Sequence, residues 1–311
     1  MVRRAGALAV VVLVVLAAVR LVGAATSGDG ASADTDTPAS SVAVRAGAGS
    51  TSRTTTADGQ ADPAPSTSAT RKGRAAVSTT TLPDRTGSPT AANPARVYVV
   101  GDSDAGTFGP YLERLLDATG LVETELNYKV SSGLSRPDFF DWPAELEQTL
   151  PAVNADIVVA TFGGNDAQGL AVESGEFIIG DPVANEAEWT EEYQRRVGEV
   201  MDLLLEDDRA VIWVGIPNDD NPDVTARMAI QDRAAKAAAA ERPDVVFIDT
   251  WTRFSGRDGG WAEFVIDPRD GAGKDVRAGD GFHLNETGAE ILAIDIAQAV
   301  RDELRDLGAD I

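Results

Sequence analysis

Cysteine is absent from all 311 residues. That excludes disulfides, thiolate metal sites, a cysteine nucleophile and a lipid-modified N-terminal cysteine. Histidine occurs once, as His283, so any chemistry that needs an imidazole must use this one ring. Aromatic residues are missing until Tyr98, and nothing before that point supplies the bulk for a core. Positive charge is scarce, with 27 Lys and Arg against 50 Asp and Glu and a net charge of −23. Residues 1–94 hold nine basic and six acidic residues, which leaves the remainder with 18 basic, 44 acidic and a net of −26. A domain this acidic repels nucleic acid and anionic membranes, so no nucleic-acid partner is expected. Solubility, or adaptation to a salty medium, is a simpler reading of the charge than an acidic binding surface. There is no Gly-x-x-x-x-Gly-Lys phosphate loop and no dinucleotide fingerprint. Asp267, Asp270 and Asp275 lack the spacing of an EF-hand, so neither a cofactor nor a metal is expected.

What is present falls into three parts. Residues 1–25 begin with the basic Arg3-Arg4, followed by an unbroken apolar stretch from Ala5 to Val19. Val22-Gly23-Ala24 fits the small-residue rule for signal cleavage. Arg20 near the end of the stretch can instead snorkel, which lets residues 5–25 span as a membrane anchor. Both readings carry the rest of the chain across the membrane, leave Arg3 and Arg4 inside, and imply an extracytoplasmic location. Residues 26–94 form a Ser-, Thr-, Pro- and Ala-rich linker in which 24 of 69 positions are Ser or Thr. Too little apolar area is available there to offset chain entropy, so disorder is expected, with sites open to O-glycosylation. As a flexible coil the linker reaches roughly 45 Å root-mean-square. Residues 95–311 are the globular part, long enough for a well-buried single domain.

That part alternates strand-like and helix-like segments. Strands are expected at 97–100, 122–130, 156–162, 211–216 and 245–248. Helices are expected from Gly109-Pro110, with proline early in the first turn, and over 142–150, 186–205, 224–240 and 287–304. Alternation of this kind implies an α/β fold, a parallel five-stranded sheet covered by helices on both faces. Ligands in such sheets bind beyond the carboxyl ends of the strands. Ser103, Gly164, Asn165, Pro217 and Asp249 all fall at such ends.

These residues carry a recognisable chemistry. A serine hydroxyl becomes a useful nucleophile when a base takes its proton, and histidine has the right pKa. A carboxylate on the far ring nitrogen fixes the tautomer. Asp280 and His283 are three residues apart in a loop before a helix, which lets the aspartate fold back onto the ring. The Ser103 N–H and the Asn165 amide are suitable oxyanion donors, and a glycine N–H is the usual third.

The same residues resemble the SGNH hydrolases, also called GDSL-type esterases. Gly101-Asp102-Ser103 is similar to that family's first block, which makes Ser103 the nucleophile. Gly133, in Ser131-Ser132-Gly133-Leu134, is similar to the second-block glycine that lends an oxyanion N–H. Gly163-Gly164-Asn165-Asp166 resembles the third block, with Asn165 as oxyanion amide, and Asp280-Gly281-Phe282-His283 resembles the fifth. The strings from Gly133 to Pro143 and from Trp213 to Pro217 resemble a bacterial envelope subfamily whose biology is largely unassigned. The resemblance implies a flavodoxin-like three-layer α/β/α sandwich and a catalytic Ser103, His283 and Asp280, with Ser103, Gly133 and Asn165 forming the oxyanion hole.

One residue departs from the pattern. Asp104 follows the serine where the common motif has leucine. It either disfavours anionic substrates or faces solvent. Asp104, Gly164, Arg136, Trp142 and Phe282 are candidate substrate-lining residues, although the segment around Arg136 and Trp142 reads equally well as a loop plugged by its own aromatics. The long connection 252–279, with Phe254, Trp261 and Phe264, has the length of a lid. Three functions remain open: an esterase acting on short acyl, such as O-acetyl, esters of an envelope glycan; an acyltransferase passing the acyl group to a glycan hydroxyl; and a non-catalytic glycan-binding domain. The partner is in each case an acylated glycan or other small ester, and nothing in the sequence sets the oligomeric state.

Overall fold

The computed structural model describes Leu82 and residues 84–311. The expected signal or anchor and most of the linker lie outside the described residues. Among the described residues no helix is long and apolar enough to cross a membrane.

The elements run β1 (Ala95–Gly101), α1 (Ser103–Asp117), β2 (Val122–Tyr128), α2 (Trp142–Val153), β3 (Ile157–Thr161), β4 (Leu170–Ala171) and β5 (Phe177–Ile179). They continue with α3 (Glu186–Leu205), β6 (Ala210–Val214), α4 (Pro222–Ala240), β7 (Val245–Ile248), α5 (Thr250–Arg253), β8 (Phe264–Ile266), β9 (Gly273–Asp275) and α6 (Glu286–Asp306). Five strands form one sheet in the order β2-β1-β3-β6-β7. Every pairing in it is parallel. This is the flavodoxin-like doubly wound order, whose direction reverses between β1 and β3.

Strand period and burial explain the two cores. Tyr98, Val100, Val158, Ala160, Val211 and Trp213 face one layer, with Trp189, Tyr193 and Met201 of α3. The alternate residues Val97, Val99, Ile157, Val159, Ile212 and Val214 face the other, with Leu112 and Leu116 of α1 and Ile291 and Ile296 of α6. Burial on both faces is why these strands read as continuous apolar runs. Each fully buried large side chain contributes about 1.5–3 kcal/mol.

Three expectations need correction. Helix α1 opens at Ser103, not at Gly109-Pro110, because Asp102 caps it by accepting from the Asp104 N–H at 2.9 Å. Gly106 and Gly109 hid the helix, since glycine is a poor helix former. They are small because a Cβ at either would come within 2.6 Å of the Tyr128 ring or 2.7 Å of Leu126. Residues 84–94, expected to belong to the linker, contact the rest of the domain. Arg85 donates to both carboxylate oxygens of Asp156 at 3.0 and 2.9 Å, which ties residues 84–94 to the start of the sheet.

The segment 252–279 is not a free lid. Phe254, Val265 and Val276 are buried in the core, β8 and β9 pair as an antiparallel hairpin, and the Trp261 indole N–H donates to the Gly281 carbonyl at 2.7 Å. These contacts pin the connection against the loop that carries His283.

Candidate active site

Strand β1 ends at Gly101, whose φ of +151° and tight approach to Thr161 leave no room for a side chain. A Cβ there would lie 2.0 Å from the Thr161 carbonyl oxygen. The chain then turns at Asp102 and enters α1 at Ser103. As the first helical residue, Ser103 has no helical carbonyl four residues back, so its N–H stays free for another acceptor. Its side chain meets the histidine: Ser103 Oγ lies 2.9 Å from His283 Nε2.

His283 and Asp280 sit in the loop before α6. His283 Nδ1 is 2.6 Å from Asp280 Oδ2, while Asp280 Oδ1 accepts the backbone N–H groups of Phe282 and His283 at 3.1 and 3.0 Å. The aspartate therefore holds both the ring and its backbone. Partial burial pushes the Asp280 carboxyl up, but the His283 ring and those two N–H groups outweigh it and hold the pKa below its ordinary value. The imidazole is about one-third exposed, at 32 %, so a reactant reaches it from solvent.

Asn165 lies in the turn after β3, beside the end of β1. Its amide donates to the Ser132 carbonyl at 3.0 Å, and the second amide proton has no acceptor among the described residues. Gly133 follows Ser132 in the loop after β2. A Cβ on it would lie 2.1 Å from Asp166 Oδ1, so the position accepts only glycine. The loop and the turn are thus clasped together next to the serine.

Residues that the sequence reading passed over do the clasping. Asp166 is fully buried and accepts the N–H groups of Leu134 and Ser135, each at 2.9 Å, and the Tyr193 hydroxyl at 2.8 Å. Burial and the adjacent Asp166 charge hold the Tyr193 hydroxyl protonated, well above its usual range. Asp102 accepts the N–H groups of Gly163 and Gly164 at 3.1 and 2.9 Å as well as that of Asp104. Complete burial pushes Asp102 up to about 6, against the pull of these donors. Arg277 donates to the carbonyls of Asn218 and Phe282, each at 2.9 Å, and of Phe254 at 3.0 Å, and to the Asn218 side chain at 2.7 Å. Burial lowers its pKa to about 10 despite the surrounding aspartates. Asp102 and Asp166 stood inside the quoted motifs, whereas nothing local marked Arg277.

The candidate lining residues fare differently. Trp142 is fully buried, packs edge-on against Phe140 and Phe162, and donates to Ser132 Oγ at 2.8 Å. Through that bond it supports the Gly133 loop, and it is among the residues lining a cavity of about 670 Å³ that Gly133 and Phe140 also line. Phe282 is also buried, edge-on to the His283 ring at 4.9 Å between centroids, so it braces that ring. Asp104 is 7 % exposed and faces inward, so it is not a solvent-facing acid. Burial, followed by the neighbouring Asp102 charge, raises its pKa well above the usual carboxylate range. Gly164 is partly exposed and pinned by Asp102. Arg136 is half-buried, pairs with both oxygens of Asp138 at 2.7 Å and lies over the Phe177 ring.

No curated protein matches the chain. Among solved structures, a GDSL-like lipase from Bacteroides thetaiotaomicron is 14% identical with a TM-score of 0.46, over 67% of this chain and 88% of that one. An acetylxylan esterase from Geobacillus stearothermophilus is 17% identical with a TM-score of 0.47, over 71% of this chain and 96% of that one. The family described as "Protein of unknown function (DUF459)" matches residues 96–299, which takes in nearly all of the sheet and its helices and every residue of the site above, and the chain belongs to that family.

Proposed function

We propose that this protein is a serine esterase. The observation that carries the reading is the unbroken chain from Ser103 Oγ to His283 Nε2 at 2.9 Å and from His283 Nδ1 to Asp280 Oδ2 at 2.6 Å. In this reading His283 Nε2 takes the Ser103 proton as Oγ attacks an ester carbonyl. Asp280 keeps the other ring proton on Nδ1 and stabilises the imidazolium. The Ser103 N–H, the Asn165 amide and the Gly133 N–H receive the oxyanion, each donor being worth about 3 kcal/mol. The carbon–oxygen bond to the alcohol then breaks, and His283 returns its proton to the leaving oxygen. Water attacks the acyl-serine with His283 again as base, releasing the acid and restoring Ser103.

The substrate class we propose is a short acyl ester, such as O-acetyl, of an envelope glycan. The basic and apolar N-terminus and the Ser- and Thr-rich stretch after it support an extracytoplasmic site of action. Labelling with a fluorophosphonate tests the mechanism. The expected result is a single adduct mapped to Ser103 by peptide mass spectrometry and lost in His283→Ala. A folded protein that takes no label, or takes it elsewhere, contradicts the reading.

A further inference from the structure

Beneath the first turns of α1 lies a small cavity of about 10 Å³, at the carboxyl ends of β3 and β6. Most of its wall is apolar, including Phe108, Val214 and Leu292. Four polar residues also line it: Asp104, Thr107, Thr161 and Thr250. The Thr107 hydroxyl is already engaged, donating to the Ser103 carbonyl at 2.9 Å, which leaves Asp104, Thr161 and Thr250, from three different elements. They are 7 %, 0 % and 0 % exposed. Each holds a buried oxygen with no hydrogen-bonding partner among the described residues: Asp104 Oδ2, Thr161 Oγ1 and Thr250 Oγ1. Buried polar atoms are almost always satisfied, and three residues of one small cavity that each hold an unmet oxygen point to a shared partner.

We propose that this cavity binds one water molecule, held by Asp104, Thr161 and Thr250. Its volume matches a single water, and three polar neighbours match the number that buried waters keep. A metal cation fits poorly, because it would take six or so oxygen ligands and the lining supplies a single carboxyl and three threonine hydroxyls, one of them already engaged. The charged groups facing Asp104 are Asp102 on its own helix turn, Arg277, and Asp280 of the histidine loop. Asp104 keeps its proton there and donates it to the water, which in turn serves the two threonine hydroxyls. The bridge joins the residue next to Ser103 to the end of β3 and the start of α5. It also gives a physical reason for an acid at position 104, where the SGNH motif named above has leucine: the acid and its water fill the space an apolar side chain would take. The inference stands whether or not the protein is an esterase, since neither test below reads activity.

The first test is a crystal structure of the full chain at about 1.5 Å resolution. The expected result is an isolated density peak about 2.6–3.2 Å from the Asp104 carboxyl and both threonine hydroxyls. No peak, or a peak ringed by oxygens at about 2.4 Å as for a cation, overturns the proposal. The second test is thermal unfolding of Thr161→Val, Thr250→Val and the double variant. Each single change lowers the midpoint by about 2–6 °C. The double variant loses clearly less than the sum, because both changes strip the same water. Strictly additive losses overturn the proposal. If the variants fail to fold, the wild-type density decides alone.

Discussion

The Asp102 carboxylate accepts a hydrogen bond from the Gly164 N–H at 2.9 Å, across 62 residues of sequence. This contact joins the turn carrying Ser103 to the turn carrying Asn165, at the point where the sheet order reverses. The same carboxylate is buried and pushed up to about 6 from the ordinary 3.8. A raised carboxylate favours the fold in its protonated form. Its share of stability is full below the unfolded value and is lost as pH rises through about 6. The unfolding free energy of the wild type minus that of Asp102→Asn should therefore fall by up to about 3 kcal/mol between about pH 4 and pH 7. Asp104 is raised for the same causes and adds with the same sign. Urea titrations at stepped pH measure the difference, and a flat or rising curve contradicts the assignment.

Asp166 and Gly133 form a lock. Removing the carboxylate in Asp166→Ala strands the N–H groups of Leu134 and Ser135 and the Tyr193 hydroxyl. Unmet buried groups cost about 1–3 kcal/mol each, so a loss of about 3 kcal/mol or more is expected in urea unfolding. Gly133→Ala should also destabilise, because its methyl would meet Asp166 Oδ1 at 2.1 Å. Wild-type stability in either variant would show that the loop is held some other way.

Arg277 is buried without an ion pair among the described residues and spends its guanidinium on carbonyls around the histidine loop. Lysine keeps the charge but not the planar fork. Arg277→Lys should lose about 2–4 kcal/mol of stability. Faster amide exchange at Phe282 and His283 should accompany it, measured by hydrogen–deuterium exchange.

Within the proposed mechanism, Asp280→Asn should lower kcat about 10⁴-fold by favouring the wrong tautomer of His283. Asn165→Ala should cost about 10²–10³-fold through loss of one oxyanion donor. Steady-state kinetics on a soluble ester, beside circular dichroism to verify folding, separates these effects from unfolding.

Much of the scaffold was legible because it depends on period and burial. Segments such as 97–100, 186–205 and 245–248 carry their patterns locally, and the observed β1, α3 and β7 follow them. Helix α1 was read six residues late, since Gly106 and Gly109 answer to Tyr128 and Leu126 rather than to helix propensity. The hairpins β4–β5 and β8–β9 consist of two- and three-residue strands, too short for a periodic signal. Ser103, Asn165, Asp280 and His283 were visible as residue types at strand ends and in one loop. Their supports were not: Asp102 works across 61 residues to Gly163, and Arg277 across 59 to Asn218. Trp142 and Phe282 were candidate lining residues, and both are buried, Trp142 at a cavity that also includes Gly133 and Phe282 against the His283 ring.

The central claim is that Ser103 attacks an ester with His283 as its only base. The direct measurement is hydrolysis of p-nitrophenyl acetate by the full chain beside Ser103→Ala and His283→Ala. The account predicts turnover in the wild type and a loss of up to about 10⁶-fold in both variants. Since the chain has no other histidine, substantial activity in His283→Ala would contradict it.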